Sequence, residues 1–403
     1  MTGAGASGTD PSARNADAGA SLDCRRDDFS LPPDVHYLNC AYMGPLPLRA
    51  QQAGIDGVRA KAVPSAIVPD DFFRDSDEAR RLFAQLIGVA DGARVAIIPS
   101  VSYGMATVAR NVRCSSGSRI VIAAEQFPSN VYAWRRLARD SGAELCVVAA
   151  PSDDARAESW TAALLDAIDE RCALVALPHV HWTDGTRFDL ERIGERARAV
   201  GAAFVIDGTQ SIGALPFDAA RIGADAVICA AYKWLLGPYG IGFAWYGPRF
   251  DDGVPLEETW IGREHSEDFQ HLIDYRDTYQ PGAARFDVGE RSNFILLPMA
   301  IASLRMVLHW GAPRIQEYCD GLFTPVIDEA VSLGYRVEQR HWRGAHLFGL
   351  RPPARLDLSA LAGGLRARNV SASLRGTALR VSPHVYNDEA DAAALLQALR
   401  ASM

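Results

Sequence analysis

From residue 94 onward the chain alternates two hydrophobic rhythms: short, almost unbroken apolar runs, and longer stretches in which apolar residues recur every three or four positions. The runs are RVAIIP (94–99), RIVIAAE (119–125), ELCVVAA (144–150), ALVALP (173–178), AAFVID (202–207), DAVICAA (225–231) and IGFAWYG (241–247). Strands apolar at every position are buried on both faces. Helical patterns at 103–113, 130–141, 162–171 and 190–200 separate them, which predicts an α/β fold with a mostly parallel sheet flanked by helices. Ligand chemistry in such a sheet gathers at the carboxyl ends of the strands. After about residue 290 the pattern becomes long helices at 294–310 and 313–333, short strands near 345–350 and 378–382, and a last helix from Asp388. The expected organisation is a disordered tail at 1–20, an N-terminal segment with a large α/β domain at 21–290, and a smaller C-terminal α+β domain at 291–403.

Composition narrows the function classes. With 403 residues, 48% hydrophobic and 22% charged, the chain has ordinary globular content. A net charge of -8 argues against a protein built to coat nucleic acid or an anionic membrane, so a small-molecule partner is expected. The polar first 20 residues lack the apolar centre of a signal peptide, and no apolar run approaches the roughly 20 residues of a membrane span. Seven scattered cysteines, none in a C-x-x-C spacing, read as thiols in a reducing cytosol, and a cytoplasmic location is expected.

Only two of the 41 basic residues are lysines, Lys61 and Lys233. Chemistry that needs a neutral primary amine cannot use arginine, whose guanidinium stays protonated. Lys233 follows the run 225–231 directly, so it sits at a strand's carboxyl end, among apolar neighbours that would lower its pKa. Taken alone it reads as a surface lysine with a packed stem, and the near-absence of lysine elsewhere shifts that balance. Asp207 ends the run 202–207 and projects from the same edge one strand earlier; taken alone it reads as a loop or capping aspartate. Together, an aspartate for a pyridinium nitrogen and a Schiff-base lysine one strand later form the arrangement that pyridoxal phosphate chemistry requires. The histidines His179 and His181 lack a third convergent ligand, and no metal is expected. GPYGIGFAWYG contains G-x-G without the full dinucleotide fingerprint.

The stretch VIDGTQSIGALPFDAARIGADAVICAAYKWLLGPYGIGFAWYG resembles the core of class V aminotransferase-fold enzymes of fold type I, the superfamily of cysteine desulfurases, kynureninases and isopenicillin N epimerase-like proteins. The resemblance implies pyridoxal 5'-phosphate as cofactor, Lys233 as its Schiff-base lysine, Asp207 on the pyridine nitrogen and Gln210 on the ring's phenolic oxygen. It implies that Phe127, in EQFPSNVYAW, stacks on the pyridine face, and that Ser102, Tyr103 and Tyr232 hold the phosphate. Arg380 matches the arginine that grips the substrate α-carboxylate, and His181 or Trp182 would line the substrate site. Trp260 and Asn293 are candidates to reach a partner subunit's phosphate in the homodimer that the resemblance implies. Departures matter too. No cysteine follows Cys319, where desulfurases need a nucleophile, and Gln210 and Asn130 stand where kynureninases have His and Asp. The expected activity is that of a lyase removing the Cα proton of an L-amino acid or derivative, with β-elimination, C–S or related Cα/Cβ cleavage. An aminotransferase or epimerase is the alternative, and a non-catalytic scaffold the remaining one.

Overall fold

The computed structural model describes residues 21–152 and 155–403; the tail expected at 1–20 lies outside the described residues. The strands are β1 (His36–Tyr37), β2 (Val95–Ile98), β3 (Arg119–Ala123), β4 (Glu144–Val148), β5 (Cys172–Pro178), β6 (Ala203–Asp207), β7 (Ala226–Ala230), β8 (Gly242–Tyr246), β9 (Phe348–Leu350), β10 (Val370–Ser371), β11 (Ser373–Arg375) and β12 (Ala378–Val381). The helices are α1 (Leu48–Lys61), α2 (Asp71–Leu86), α3 (Val101–Asn111), α4 (Tyr132–Ser141), α5 (Arg156–Ala167), α6 (Leu190–Ala199), α7 (Ala219–Ile222), α8 (Leu296–Trp310), α9 (Ala312–Ser332), α10 (Leu358–Arg366) and α11 (Glu389–Ala401).

Each of the seven apolar runs is a strand of one sheet, in the order β2-β8-β7-β6-β5-β3-β4. The neighbours from β7 through β4 pair parallel, and β8 runs antiparallel between β2 and β7. Burial on both faces explains the unbroken apolarity of these strands. On one face, Val101, Met105 and Val108 of α3 pack on Ile98, Val205 and Ile228. On the other, Phe83 of α2 and Leu297 and Leu304 of α8 pack on Ile97, Val227 and Phe243, while Trp160 and Ile193 cover Val175 and Ile206.

The small domain is an antiparallel sheet, β11-β12-β9, covered by α9, α10 and α11. Two segments cross the boundary expected at residue 290. β1 pairs parallel with β10 and Leu38 is buried among Phe323, Leu379 and Leu395, so the N-terminal segment belongs to the small domain's core. α8 packs on α1, α2 and the large sheet. Periodicity tells a helix's apolar stripe but not which core will cover it, so a division by residue number does not carry these contacts. Among the described residues no helix is long and apolar enough to cross a membrane.

Candidate active site

β6 and β7 lie side by side, and both end at the same edge of the sheet. After β6 the chain turns sharply: the Gly208 N–H donates to the Ile228 carbonyl at 2.8 Å and the Thr209 N–H donates to Asp207 Oδ1 at 3.0 Å. The Ala230 N–H donates to Thr209 Oγ1 at 3.2 Å, tying this turn to the end of β7 just ahead of Lys233. Beneath the lysine, the N-terminal segment passes so closely that a Cβ on Gly44 would lie 2.2 Å from the Lys233 carbonyl oxygen, so this position requires glycine.

Between the strand ends lies a cavity of about 240 Å³ lined by Asp207, Thr209, Gln210, Tyr232, Lys233 and Phe127, with Trp182 and Ser100 on its walls. Lys233 is 5% exposed, its Nζ 5.2 Å from the Phe127 ring centroid and 5.6 Å from that of Tyr232. Burial pulls the ammonium pKa down to about 8; Asp207 pulls it back up, while Arg380 adds to the lowering. Asp207 is also buried, and desolvation holds its carboxyl above the ordinary carboxylate range against the Thr209 hydrogen bonds and the charge of Lys233. Each group's charge acts on the other's titration, yet they form no ion pair. The cavity therefore presents one carboxylate and one amine, the two groups that a cationic ring nitrogen and an aldehyde would need.

The remaining walls fit a flat phosphorylated ring. Phe127 is 38% exposed and is edge-on to Trp182, with centroids 5.5 Å apart. α3 begins at the cavity wall, where its first N–H groups have no intrahelical acceptor. Here the structure adjusts the expectation. Ser100 and Val101 line the cavity; Ser100 Oγ accepts the Tyr103 N–H at 3.2 Å and lies 2.9 Å from Ser102 Oγ. The Tyr103 hydroxyl donates away from the cavity to the Asp287 carbonyl at 3.3 Å, because a residue in the first turn of a helix turns its side chain off the axis that aims the N–H groups. Tyr232 lines the cavity, 4.7 Å from the Tyr239 ring.

Arg380, on β12, is 2% exposed. Its Nη1 donates to the Trp182 carbonyl at 2.7 Å, Nη2 reaches Asn39 Oδ1 at 3.5 Å, and buried Nε has no partner. Burial lowers its pKa to about 10, with the charge of Arg375 adding to it. Among the described residues no carboxylate pairs with it. A buried cation without its anion is costly, and a substrate carboxylate would relieve that cost.

Neighbours in sequence diverge at 181 and 182. Trp182 lines the cavity, whereas His181 is fully buried, with Nδ1 2.7 Å from Thr183 Oγ1 and its ring 5.1 Å from that of Trp160. The chain turns at Trp182–Asp184, closed by the Gly185 N–H donating to the His181 carbonyl at 2.9 Å, and the turn sends the two side chains to different surroundings. Trp260 and Asn293 stand apart from Lys233, together on the wall of a separate surface pocket with Phe72 and Phe294. Asn293 Oδ1 there accepts the N–H groups of Ile295 and Leu296 at the start of α8.

Sequence reading missed a residue behind the site. Gln210 Oε1 accepts the indole N–H of Trp234 at 2.9 Å, and its Nε2 donates to the Ala41 carbonyl at 3.1 Å. An indole can only donate and a carbonyl only accept, so the amide orientation is fixed at both ends and the second amide hydrogen is left as a donor. Trp234→Phe frees that amide. In protein loaded with pyridoxal phosphate, the midpoint of the pH-dependent change in the cofactor's absorption is expected to move by about 0.5–1 pH unit, on the scale of one neutral hydrogen bond. A midpoint equal to wild type in a folded variant would show that Trp234 only fills space.

The class-V aminotransferase family profile matches residues 69–262, which span β2 to β8 and carry Phe127, Asp207, Gln210 and Lys233. Over this span the chain is similar to the class-V aminotransferases. Among its relatives, the chain is 32% identical to the isopenicillin N epimerase of Streptomyces clavuligerus over 57% of its own length and 58% of that enzyme's. It is 31% identical to the kynureninase of Pseudomonas fluorescens, over 68% of its own length and 65% of the kynureninase. In fold it is similar to the apo cysteine desulfurase of Thermococcus onnurineus, at 21% identity and a TM-score of 0.79, covering 94% of this chain and 97% of that one.

Proposed function

We propose that this protein uses pyridoxal 5'-phosphate to remove the Cα proton of an L-amino acid or derivative and then expels a β-substituent, as in cleavage of the C–S bond of a substituted cysteine. The observation that carries this reading is a buried amine, Lys233, and a buried carboxylate, Asp207, on one cavity, with a buried arginine that has no carboxylate, Arg380, bonded to the carbonyl of Trp182 on the cavity's wall. Pyridoxal phosphate, when bound, supplies an electron-withdrawing ring conjugated to the substrate's Cα. Arg380 binds the α-carboxylate and orients the substrate. Lys233, largely neutral above about pH 8, takes the proton from Cα and holds it. Asp207 keeps a proton on the pyridine nitrogen, Gln210 donates toward the ring oxygen, and Phe127 with Trp182 screens the reacting face from water.

Two observations favour cleavage without a protein thiol. No cysteine follows Cys319 in the small domain, and Cys319 and Cys40 are buried, with the Cys40 thiol pushed up to about 12. The kynureninase relative supports a lyase outcome. The epimerase relative favours a second reading, in which the proton returns to Cα. Location of Trp260 and Asn293 on a surface away from Lys233 fits the homodimer implied by the family, in which they would serve the partner's site; sedimentation at the mass of two chains tests this.

The deciding experiment is the absorption spectrum of the protein with pyridoxal phosphate, before and after borohydride, followed by a panel of L-amino acids and S-substituted cysteines. A band that reduction fixes to the Lys233 peptide, with keto acid formed in the absence of an amine acceptor, is the expected result. Keto acid that requires an acceptor, or exchange of Cα hydrogen with solvent without keto acid, would replace the lyase with an aminotransferase or an epimerase. No band at Lys233 would sink all three.

A further inference from the structure

Beyond Trp182 lies a second cavity of about 530 Å³, between the strand ends of the large domain and the β11–β12 hairpin. Trp182 lines the inner cavity and touches two residues of the outer one, Glu125 and Arg375. Its ring meets Phe127 edge-on at 5.5 Å, the Arg375 guanidinium lies 5.8 Å from it, and its Nε1 donates to the Glu125 carbonyl at 2.8 Å.

Several charges on the walls are already satisfied. Buried Asp184 accepts from Arg156 at 3.1 Å and also pairs with Arg351. Glu338 accepts the N–H groups of Ala157 and Gln339 at 3.1 Å. Arg375 and Glu125 are different. Arg375, half-buried on β11, donates only to the Leu374 carbonyl at 3.0 Å and has no carboxylate partner among the described residues. Glu125 has no cationic partner among them, and the two form no ion pair with each other. Glu125 also holds φ at 56°, a left-handed conformation that costs a non-glycine residue about 1 kcal/mol and collects at functional sites. One half-buried cation and one exposed anion, neither with an ion-pair partner among the described residues, therefore line a single cavity next to the catalytic one.

We propose that this outer cavity binds a second amino-acid head, with Arg375 on its carboxylate and Glu125 on its ammonium. The preferred substrate then carries two amino-acid units joined through their side chains, the reacting one on Arg380 and the distal one beyond Trp182. This rests on the assignment of Arg380 and Lys233 given above. It extends that assignment from reaction type to substrate class.

Four thioethers of L-cysteine separate the charges: L-lanthionine carries both distal groups, S-(2-carboxyethyl)-L-cysteine only the carboxylate, S-(2-aminoethyl)-L-cysteine only the ammonium, and S-propyl-L-cysteine neither. Each is titrated into holoenzyme and followed by the change in cofactor absorption. Wild type is expected to bind lanthionine about 10- to 100-fold more tightly than the propyl compound, the scale of charge-assisted hydrogen bonds. In Arg375→Ala the preference for lanthionine over the aminoethyl compound is expected to vanish, and in Glu125→Gln the preference over the carboxyethyl compound. Arg375→Lys should restore part of the first. Equal affinities in wild type, or ratios unmoved by both variants, would overturn the proposal while leaving the catalytic assignment intact. Failure of the cofactor to attach to Lys233 would overturn both, and the spectrum before titration tells the two apart.

Discussion

Lys233→Ala, loaded with pyridoxal phosphate, is expected to lose turnover by about 10³-fold or more, and borohydride is expected to fix no cofactor to the chain. The amine and the proton it moves are one group, so both functions go together. No other side chain can stand in. Lys61, the second lysine, is exposed at the end of α1, its Nζ 5.7 Å from the Phe294 ring on the surface away from the site. The 39 arginines cannot supply a neutral amine. A small primary amine such as methylamine, added to the variant, should restore part of the activity, because the cavity left by the side chain opens onto the reacting centre. In wild type, the activity that depends on free amine should rise as pH climbs toward about 8, since burial lowers the Lys233 pKa and the neutral form gains above it. Retention of a tenth of wild-type turnover, or an unchanged reduction pattern, would remove Lys233 from the mechanism.

The parts of this site that sequence revealed are those in which function and local chain direction coincide. Asp207 and Lys233 each follow an apolar run, and a run buried on both faces is the plainest signal a strand can give; its carboxyl end then places the polar residue. All seven sheet strands were legible for that reason. Helices α1 and α2 were not, although α2 is amphipathic: they precede the first strong strand, and α1 leaves Leu48, Ile55 and Val58 exposed, so its apolar residues mark no single stripe facing the core. The non-local contacts were beyond reach. Trp234 touching Gln210, Ala41 touching Gln210 and Arg375 over Trp182 each join segments far apart in sequence, and no spacing encodes them. Between Ser100 and Tyr103 the sequence located the helix start; the side chain that faces the cavity follows from helix geometry only when the first turn's position is known to the residue.

Asp207→Asn should move function and stability in opposite directions. With cofactor bound, the variant is expected to lose turnover by about 10²–10³-fold, since a neutral amide no longer holds the proton on the pyridine nitrogen when charge develops on the ring. Without cofactor, the same variant should be more stable than wild type at neutral pH, melting about 1–4 °C higher. The sign follows from linkage. Burial raises the Asp207 pKa in the folded chain, so the folded state holds a proton that the unfolded state has released. Wild-type stability therefore falls as pH rises from the ordinary carboxylate range through the raised value, and stays lowered above it. The amide of the variant carries no such cost, and its oxygen can still accept the Thr209 N–H now given to Asp207 Oδ1 at 3.0 Å. The advantage should vanish below the ordinary carboxylate range, where both side chains are neutral, and shrink or reverse when the cofactor's protonated nitrogen gives wild-type Asp207 its partner. Melting curves of cofactor-free and loaded protein across pH decide this. A variant less stable than wild type without cofactor at neutral pH would mean that Asp207 is there for the fold; a gain confined to the cofactor-free protein means that the fold carries a buried charge for the sake of the ring it is built to hold.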